Sequence, residues 1–187
     1  AGLNELSFNN IRNLETGHLQ VVNKDYWAER EDLPTENFIT QSQDLTETIQ
    51  EIPYYQAAAP QLKFSANLNN GIDELPVVTC GIKPEQYQQV FTTEDYLVSG
   101  SMIEPGEYQA LLGKKLADLM ELKVGDYLTL LFKTRQDTFN TVEAQISGLI
   151  HTNNPEVNNN LVYIPLSLAQ QALNVENKVS QIVVRLD

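Results

Sequence analysis

The sequence predicts a mixed α/β domain in which strands and short helices alternate along the chain. Hydrophobic residues make up 42% of its 187 residues, which is enough for a globular core. Segments that alternate apolar and polar residues, as half-buried strands do, are interleaved with segments of helical spacing. Asn, Gly and Pro separate the two kinds of segment. This length allows one domain, or two small subdomains that share a core.

The predicted strands share β-branched or aromatic residues, period-two alternation and a nearby turn signal. They cover residues 17–22, 61–68, 75–82, 127–132, 142–150, 161–164 and 179–186. Asn69-Asn70-Gly71 predicts a tight turn after the second of them. On the last strand, Ile182, Val184 and Leu186 are expected to share one face.

The predicted helices are short and start near a capping residue or a proline. They cover residues 42–52, 84–91, 112–120 and 165–173. Ser42 and Asp44 are both candidates for the N-cap of the first helix. Residues 25–40 and the Asn-rich segment 152–160 are predicted to be loops, and residues 133–140 a hairpin connection.

The stretch LLGKKLADLMELKVGD, residues 111–126, raises the question of a phosphate site. A P-loop needs a glycine, four residues and then Gly-Lys-Ser/Thr. Gly106 precedes Gly113 by seven positions instead of five, and Lys115 stands where the hydroxyl is needed. We therefore interpret the stretch as a helix, a tight turn and a strand, and predict that the domain neither binds nor hydrolyses ATP.

The helix in this stretch is predicted to bury one apolar stripe and to expose its lysines. The stripe consists of Leu112, Leu116, Leu119 and Met120. Lys114 and Lys115 lie off it and are predicted to be surface residues.

The charge of the chain excludes some partners. With 12 basic and 25 acidic residues the formal net charge is −13. Phosphate-backbone binding needs a basic surface, so nucleic acid is not expected as a partner, and flat binding to anionic lipid is disfavoured. No apolar run reaches the roughly 20 residues that span a bilayer, and the polar start is unlike a signal peptide. Because the first residue is Ala, we expect a processed or excised piece of a longer protein.

Few residues have the spacing of a reaction centre. Cys80 lies in an apolar run and is expected to be a buried core residue that makes no internal disulfide. His18 and His151 each adjoin a predicted strand end, with no nucleophile-elbow motif and no zinc-ligand spacing. We predict no catalytic residue, no cofactor and no metal site.

Acidic side chains leave two further possibilities to weigh. The Asn-rich segment has only Glu156 as a charged calcium ligand, and hard cations prefer several carboxylates, so a solvated turn is favoured. The pairs Glu29/Glu31 and Glu94/Asp95 are expected to be surface charge. A carboxylate-based hydrolase stays open as an alternative, although nothing in the sequence selects a pair.

The motifs of the chain, taken together, resemble the MacB-like periplasmic core domain of FtsX/MacB/lipoprotein-release ABC transporter permeases. The central match is Leu112–Ala117 followed by Leu122–Asp126, which resembles the family's LG-x-x-LA and L-x-x-GD motifs. The other matching segments are Thr16–Val21, Gly81–Glu85, Ser99-Gly100, Gly148–Ile150 and Val162–Leu166 with Ala169-Gln170. The lipoprotein-release (LolC/LolE-like) branch is the most similar, and the match runs from about residue 16 to the end.

The resemblance implies an extracytoplasmic domain between two membrane helices of a permease, on the periplasmic side of the cytoplasmic membrane. The family's fold would divide the chain into a porter-like βαβ subdomain, residues 1–82 and 151–187, and an inserted, smaller β-rich (sabre-like) subdomain, residues 83–150. The implied partners are a separate ATPase subunit, a second permease copy or paralogue, and a lipoprotein, lipid or peptide cargo. More chain leading back to the membrane is expected after Asp187.

One departure from the family concerns the link between two late strands. Permeases that recruit the periplasmic lipoprotein chaperone carry a long hook with proline at this place. Here the link Lys133–Asn140 is short and contains no proline, so the resemblance gives no support for chaperone recruitment.

The resemblance leads to the hypothesis of a non-catalytic transporter domain that acts through contacts and motion. A ligand-binding sensor domain of a membrane receptor is a second reading. The contact candidates are Arg135 and Phe139 in the short hairpin, and Tyr54 and Tyr55 after the first predicted helix. Tyr, Phe and Arg are frequent at protein interfaces, and exposed loops often carry function.

Overall fold

A computed structural model of the protein describes residues 6–10, 18–91 and 96–187. In these residues strands and helices alternate, which confirms the mixed α/β class. The strands are β1 (Leu6–Asn10), β2 (His18–Asn23), β3 (Ile39–Thr40), β4 (Tyr55–Asn69), β5 (Glu74–Ile82), β6 (Leu97–Gly100), β7 (Gln109–Gly113), β8 (Tyr127–Lys133), β9 (Phe139–Ile150), β10 (Leu161–Pro165), β11 (Lys178–Val179) and β12 (Gln181–Leu186). The helices are α1 (Lys24–Ala28), α2 (Gln43–Gln50), α3 (Pro84–Val90), α4 (Lys114–Leu119), α5 (Pro155–Asn160) and α6 (Leu166–Leu173), with a 3-10 turn at Arg30–Asp32.

Six of the strands form a closed ring, which we call the barrel. β4 pairs with β5, β5 with β10, β10 with β7, β7 with β9, β9 with β8, and β8 returns to β4. The β5–β10 and β7–β9 pairs are parallel and the other four are antiparallel. Closure satisfies the strand edges within the ring, as in other barrels.

Three strands extend the sheet beside the barrel, and we call them the wing. β12 pairs with the first half of β4, β2 pairs with β12, and β1 pairs with β2. The second half of β4 pairs with β8 instead. With 15 residues at about 3.3 Å each, β4 is about 50 Å long and belongs to both parts.

Alternate side chains of the strands fill the barrel. On β4 these are Leu62, Phe64, Ala66 and Leu68, all buried. The ring of Phe64 meets that of Phe132 edge-on, with centroids 5.0 Å apart. Side chains of α4 and α6 belong to the same apolar cluster. The barrel is therefore a packed core, without a channel through it.

Several predicted elements are confirmed, with boundaries that differ by a few residues. Ser42 is the N-cap of α2, since its Oγ accepts a hydrogen bond from Leu45 N at 3.1 Å. The turn at residues 69–71 joins β4 to β5. β4 starts at Tyr55, six residues before the predicted strand. On β12, Ile182 and Val184 face the main core as predicted, but Val183 on the other face is also buried.

Two predicted loops were wrong because each contains a short helix. Residues 25–40 include α1, the 3-10 turn and β3; the buried ring of Tyr26 anchors α1 within a polar stretch. The Asn-rich segment contains α5, which begins with Pro155 after the cap residue Asn154. Helices of one or two turns give too little periodicity for a sequence pattern to detect.

The predicted stripe of the central helix was wrong about Leu119 and placed Leu112 on the wrong element. α4 begins at Lys114, so Leu112 lies on β7 and faces the barrel. The side chain of Leu119 is 67% exposed. α4 buries Leu116 and Ala117, and its C-cap residue Met120 is buried on the same side; Leu119 lies about 100° around the helix from the middle of that face.

The division into two subdomains stays a prediction. Hydrogen bonding runs across its expected boundary, because β8 pairs with β4 and β7 pairs with β10. The segment Thr16-Gly17 of the family motif and the acidic pair Glu94/Asp95 lie outside the described residues.

Candidate interaction surfaces

The residues of the central LG-x-x-LA motif pack α4 and α5 against the barrel. A Cβ at Gly113 would lie 2.1 Å from the carbonyl oxygen of Asn158, so only glycine lets α5 lie against the end of β7. Leu116 and Ala117 of the motif are buried. Lys114 Nζ contacts Asp118 Oδ2 at 2.7 Å on the exposed side of α4. The lysine thus forms a surface ion pair of the common i, i+4 type.

The other glycine motifs have similar structural roles. Gly125 has a φ of 95°, a conformation that favours glycine, and Asp126 Oδ2 accepts a hydrogen bond from Lys123 N at 3.0 Å. A Cβ at Gly81 would lie 2.5 Å from that of Ala169, so this glycine brings β5 close to α6. These motifs therefore mark the fold rather than a site.

Cys80 and His18 are buried, whereas His151 is exposed. Cys80 is fully buried, and this burial raises the pKa of its thiol to about 11, which disfavours the reactive thiolate. His18 is buried, with Nε2 at 3.1 Å from Val90 O and its ring stacked on Phe91. His151 is exposed on the opposite part of the sheet.

A second apolar cluster lies outside the barrel, around Cys80, Tyr87 and Tyr163. The hydroxyl groups of the two tyrosines are hydrogen-bonded at 2.8 Å. Burial raises the pKa of Tyr163 well above its usual value, and the neighbouring Tyr87 raises it further. The hydrogen bond between the two hydroxyl groups joins α3 to β10.

Metal ligands do not gather in the described part of the chain. No three His, Cys, Asp or Glu side chains of residues 6–10, 18–91 and 96–187 lie close enough to hold an ion. The Asn-rich segment uses its amide internally: Asn158 Oδ1 accepts from Thr152 N at 2.7 Å, and Nδ2 donates to Thr152 O at 2.8 Å. None of the described helices is long and apolar enough to cross a bilayer.

A cavity of about 270 Å³ lies where β5 and β10 end and α3 and α6 begin. Its wall is largely apolar. The lining residues are Ile82, Lys83, Pro84, Glu85, Gln86, Pro105, Pro165, Leu166, Ser167 and Gln170. The volume is below the roughly 300 Å³ at which small-molecule sites begin.

The predicted contact residues Arg135 and Phe139 lie at a tight hairpin between β8 and β9. Thr134 N donates to Thr138 O at 2.8 Å, and Asp137 adopts a φ of 62°. Arg135 is exposed, and Phe139 is 70% exposed at the start of β9. The hairpin presents an aromatic ring and a guanidinium to solvent.

Lys133, the last residue of β8, contacts both the turn of the hairpin and the first residue of β9. Its Nζ lies 2.9 Å from Asp137 Oδ1 and 5.8 Å from the centroid of the Phe139 ring. Both contacts are exposed, so each adds little stability but orders the hairpin.

The predicted contact residues Tyr54 and Tyr55 differ from each other. Tyr54 is 75% exposed with a φ of 68°, and its carbonyl oxygen accepts a hydrogen bond from Asp187 N at 2.8 Å. Tyr55 is half-buried and packs against the main core. Tyr54 therefore lies on the surface beside the end of β12, at the far end of the wing.

The structure does not bring the two predicted contact points together. Lys133 lies two residues beyond Leu131, which pairs with Asn67, so the hairpin begins level with residue 65 of β4. Tyr55 is ten residues earlier on the same strand, about 30 Å away. They are separate surfaces of the domain.

A third surface was missed by the sequence analysis. Three exposed apolar side chains lie at the end of the barrel that carries the β4–β5 turn, and we call Ile72, Leu119 and Tyr127 the turn-end cluster. Asn70 Nδ2 donates to Met120 O at 2.7 Å, which joins the turn to α4. Tyr127 begins β8, two residues before Thr129, which pairs with Asn69. The sequence contained one sign of this surface: Ile72 is a large apolar residue inside a predicted turn, where polar residues are usual.

The fold defines a class of protein: a β-rich α/β domain with a closed barrel, a wing of further strands, and several exposed aromatic and apolar side chains. The chain matches the family described as MacB-like periplasmic core domain over residues 2–187. It therefore belongs to this family, whose members are periplasmic domains of inner-membrane ABC transporter permeases and are not known as catalysts. This confirms the resemblance seen in the sequence.

Curated relatives agree with the family. The chain is 30% identical over 131 residues to the lipoprotein-releasing system transmembrane protein LolC of Xylella fastidiosa strain 9a5c, and equally to that of strain Temecula1. Each match covers 66% of this chain and 32% of the relative. The match thus spans about a third of the length of these relatives.

Solved structures share the fold at low sequence identity. The periplasmic region of MacB from Actinobacillus actinomycetemcomitans has a TM-score of 0.63 and 15% identity, covering 96% of this chain and 78% of that one. The extracellular domain of the noncanonic ABC-type transporter YknZ from Gram-positive bacteria has a TM-score of 0.59 and 12% identity, covering 84% and 78%.

Proposed function

We propose that this domain is the non-catalytic extracytoplasmic part of an ABC transporter permease, which couples ATP-driven motion of the membrane part to release or export of a cargo. The observation that carries the proposal is the family match over nearly the whole chain. The relatives named as lipoprotein-releasing proteins favour a lipoprotein cargo over a free lipid or a peptide.

The strand arrangement supports a mechanical role. β1 and β12 are the first and last strands of the described residues, and both belong to the wing, where β2 lies between them. If the chain continues before β1 and after β12 into membrane helices, as in the transmembrane relatives, helix motion reaches the wing first. β4 then carries the displacement into the barrel, because it is continuous through both parts.

The implied partners follow from the same proposal. A separate ATPase subunit supplies the energy, and a second permease copy or paralogue completes the transporter on the periplasmic side of the cytoplasmic membrane. The exposed hairpin with Arg135 and Phe139 is the proposed contact with cargo or partner, and Tyr54 is a second contact near the membrane.

The test is cargo release by the intact permease with its ATPase in vesicles. The double variant Arg135→Ala, Phe139→Ala should lower release while basal ATP hydrolysis and folding stay unchanged, because both side chains are exposed. Lys114→Ala, Lys115→Ala is the matched control, since it removes two exposed side chains elsewhere on the barrel. Equal release from wild type and from the hairpin variant would exclude the hairpin as a contact.

A variant of Tyr54 separates the second contact from the first. Tyr54→Ala removes an exposed ring, whereas Tyr55→Ala also removes core packing and needs a stability measurement beside it. If neither Tyr54→Ala nor the hairpin variant changes release, the contact surface lies elsewhere, and the turn-end cluster is the next to test.

A further inference from the structure

The β4–β5 turn contains a chemically labile pair. Asn70-Gly71 is the one Asn-Gly pair in the sequence. Because glycine has no side chain, its backbone nitrogen has open access to the amide of the preceding Asn. The nitrogen of Gly71 can attack Cγ of Asn70; the Cγ–Nδ2 bond breaks, and ammonia leaves with the amide proton. Water then opens the five-membered imide to give Asp or isoaspartate, so the reaction needs no other reagent.

The folded turn restrains both reacting groups. Gly71 N donates to Asn69 Oδ1 at 2.6 Å, which occupies the attacking N–H. Asn70 Oδ1 accepts from Ile72 N at 2.9 Å and from Asp73 N at 2.7 Å. Nδ2 of Asn70 donates to Met120 O at 2.7 Å. Attack on Cγ requires this network to open first.

We infer that Asn70 is a latent deamidation site, which the folded turn protects and which reacts when the turn opens. The product changes the surface around it. A carboxylate at position 70 has no N–H to donate to the Met120 carbonyl, so two oxygens that repel each other replace a hydrogen bond. The reaction therefore releases the turn from the end of α4, and both carry residues of the turn-end cluster.

The first experiment compares deamidation in the folded and unfolded chain. The protein is incubated at pH 8 with and without urea, and mass spectrometry of peptides measures the gain of about 1 Da at Asn70. Protection by the fold predicts a rate at least about tenfold higher in urea, because reaction in the native state proceeds through local opening. Gly71→Ala should slow the reaction in urea by adding a side chain beside the attacking nitrogen. Equal rates in the folded and unfolded chain overturn the inference.

Two variants test the hydrogen bonds themselves. Asn69→Ala frees the Gly71 N–H and should speed deamidation of the folded chain, whereas Asn67→Ala, two residues earlier on β4, should not. Asn70→Asp mimics the product and should speed hydrogen exchange in a peptide covering residues 118–123. Asn153→Asp adds the same charge at an exposed position and serves as its control. If Asn69→Ala deamidates like wild type, or Asn70→Asp exchanges like Asn153→Asp, the corresponding step is wrong.

Discussion

The barrel and the wing are stabilised in different ways. The barrel encloses a continuous apolar interior, to which α4 and α6 contribute side chains. The wing shares this cluster through Val21, Ile182 and Val184, and adds a row of side-chain amides across three strands. Gln20 Nε2 donates to Gln181 Oε1 at 2.6 Å, and Gln181 Nε2 donates to Gln61 Oε1. Apolar packing depends on close contact between side chains. A row of hydrogen-bonded side-chain amides forms only when the strands that carry them keep their register. We therefore expect a change of strand register to disturb the wing more than the barrel.

The largest expected effect distinguishes the inside of the barrel from its surface on one helix. Leu116→Ala should lower the free energy of unfolding by about 2–5 kcal/mol, because the side chain is 1% exposed and its loss leaves a cavity. Leu119→Ala, three residues later and 67% exposed, should change it by no more than about 0.5 kcal/mol. Urea unfolding of both variants provides the measurement. Similar losses from the two would show that α4 packs differently.

The next effect tests the close contact of α5 with the barrel. Gly113→Ala places a Cβ 2.1 Å from the Asn158 carbonyl oxygen, so α5 must shift. Overpacking of this kind should cost about 1–3 kcal/mol. Gly106→Ala is not a neutral control, since Gly106 has a φ of 79°; Lys115→Ala on exposed helix surface is a better one. An unchanged unfolding midpoint for Gly113→Ala would contradict the packing role of the motif.

A third variant interrupts the row of hydrogen-bonded glutamine side chains in the wing. Gln181→Met keeps the shape of the side chain but leaves the amides of Gln20 and Gln61 without their shared partner, which should cost about 1–3 kcal/mol. Hydrogen exchange should then rise in β2 and β12 more than in β8 and β9. Uniform change across both regions would mean that barrel and wing respond as one unit.

The elements that the sequence identified well are those with long, regular patterns. β5, β8 and the hairpin between β8 and β9 lie close to their predicted places because alternation and turn residues agree there. The closure of the barrel was not predictable from spacing, since the pairs β4–β8 and β5–β10 join residues far apart in the chain. The need for glycine at position 113 was not predictable either, because it comes from the close approach of α5 in the folded structure.

The candidate surfaces were only partly accessible from the sequence. Phe139 and Arg135 were chosen for their residue types and are exposed, which fits a contact but does not test it. Leu119 was assigned to the core because Leu at i+3 from Leu116 fits a helical stripe. α4 has only six residues, and the face that it turns toward the barrel contains Leu116 but not Leu119. Which of its leucines is buried therefore depends on the position of the barrel.

The smallest expected effect concerns the two lysines that first suggested a phosphate site. Lys114 and Lys115 are exposed, and Lys114 forms only a surface ion pair with Asp118. Such pairs contribute about 0–1 kcal/mol, so Lys114→Ala, Lys115→Ala should change the free energy of unfolding by no more than about 0.5 kcal/mol. Calorimetry with ATP should show no micromolar binding to wild type or to the variant. ATP binding that disappears in the variant would mean that the start of α4 has a role beyond packing, and would overturn the purely structural reading of the LG-x-x-LA motif.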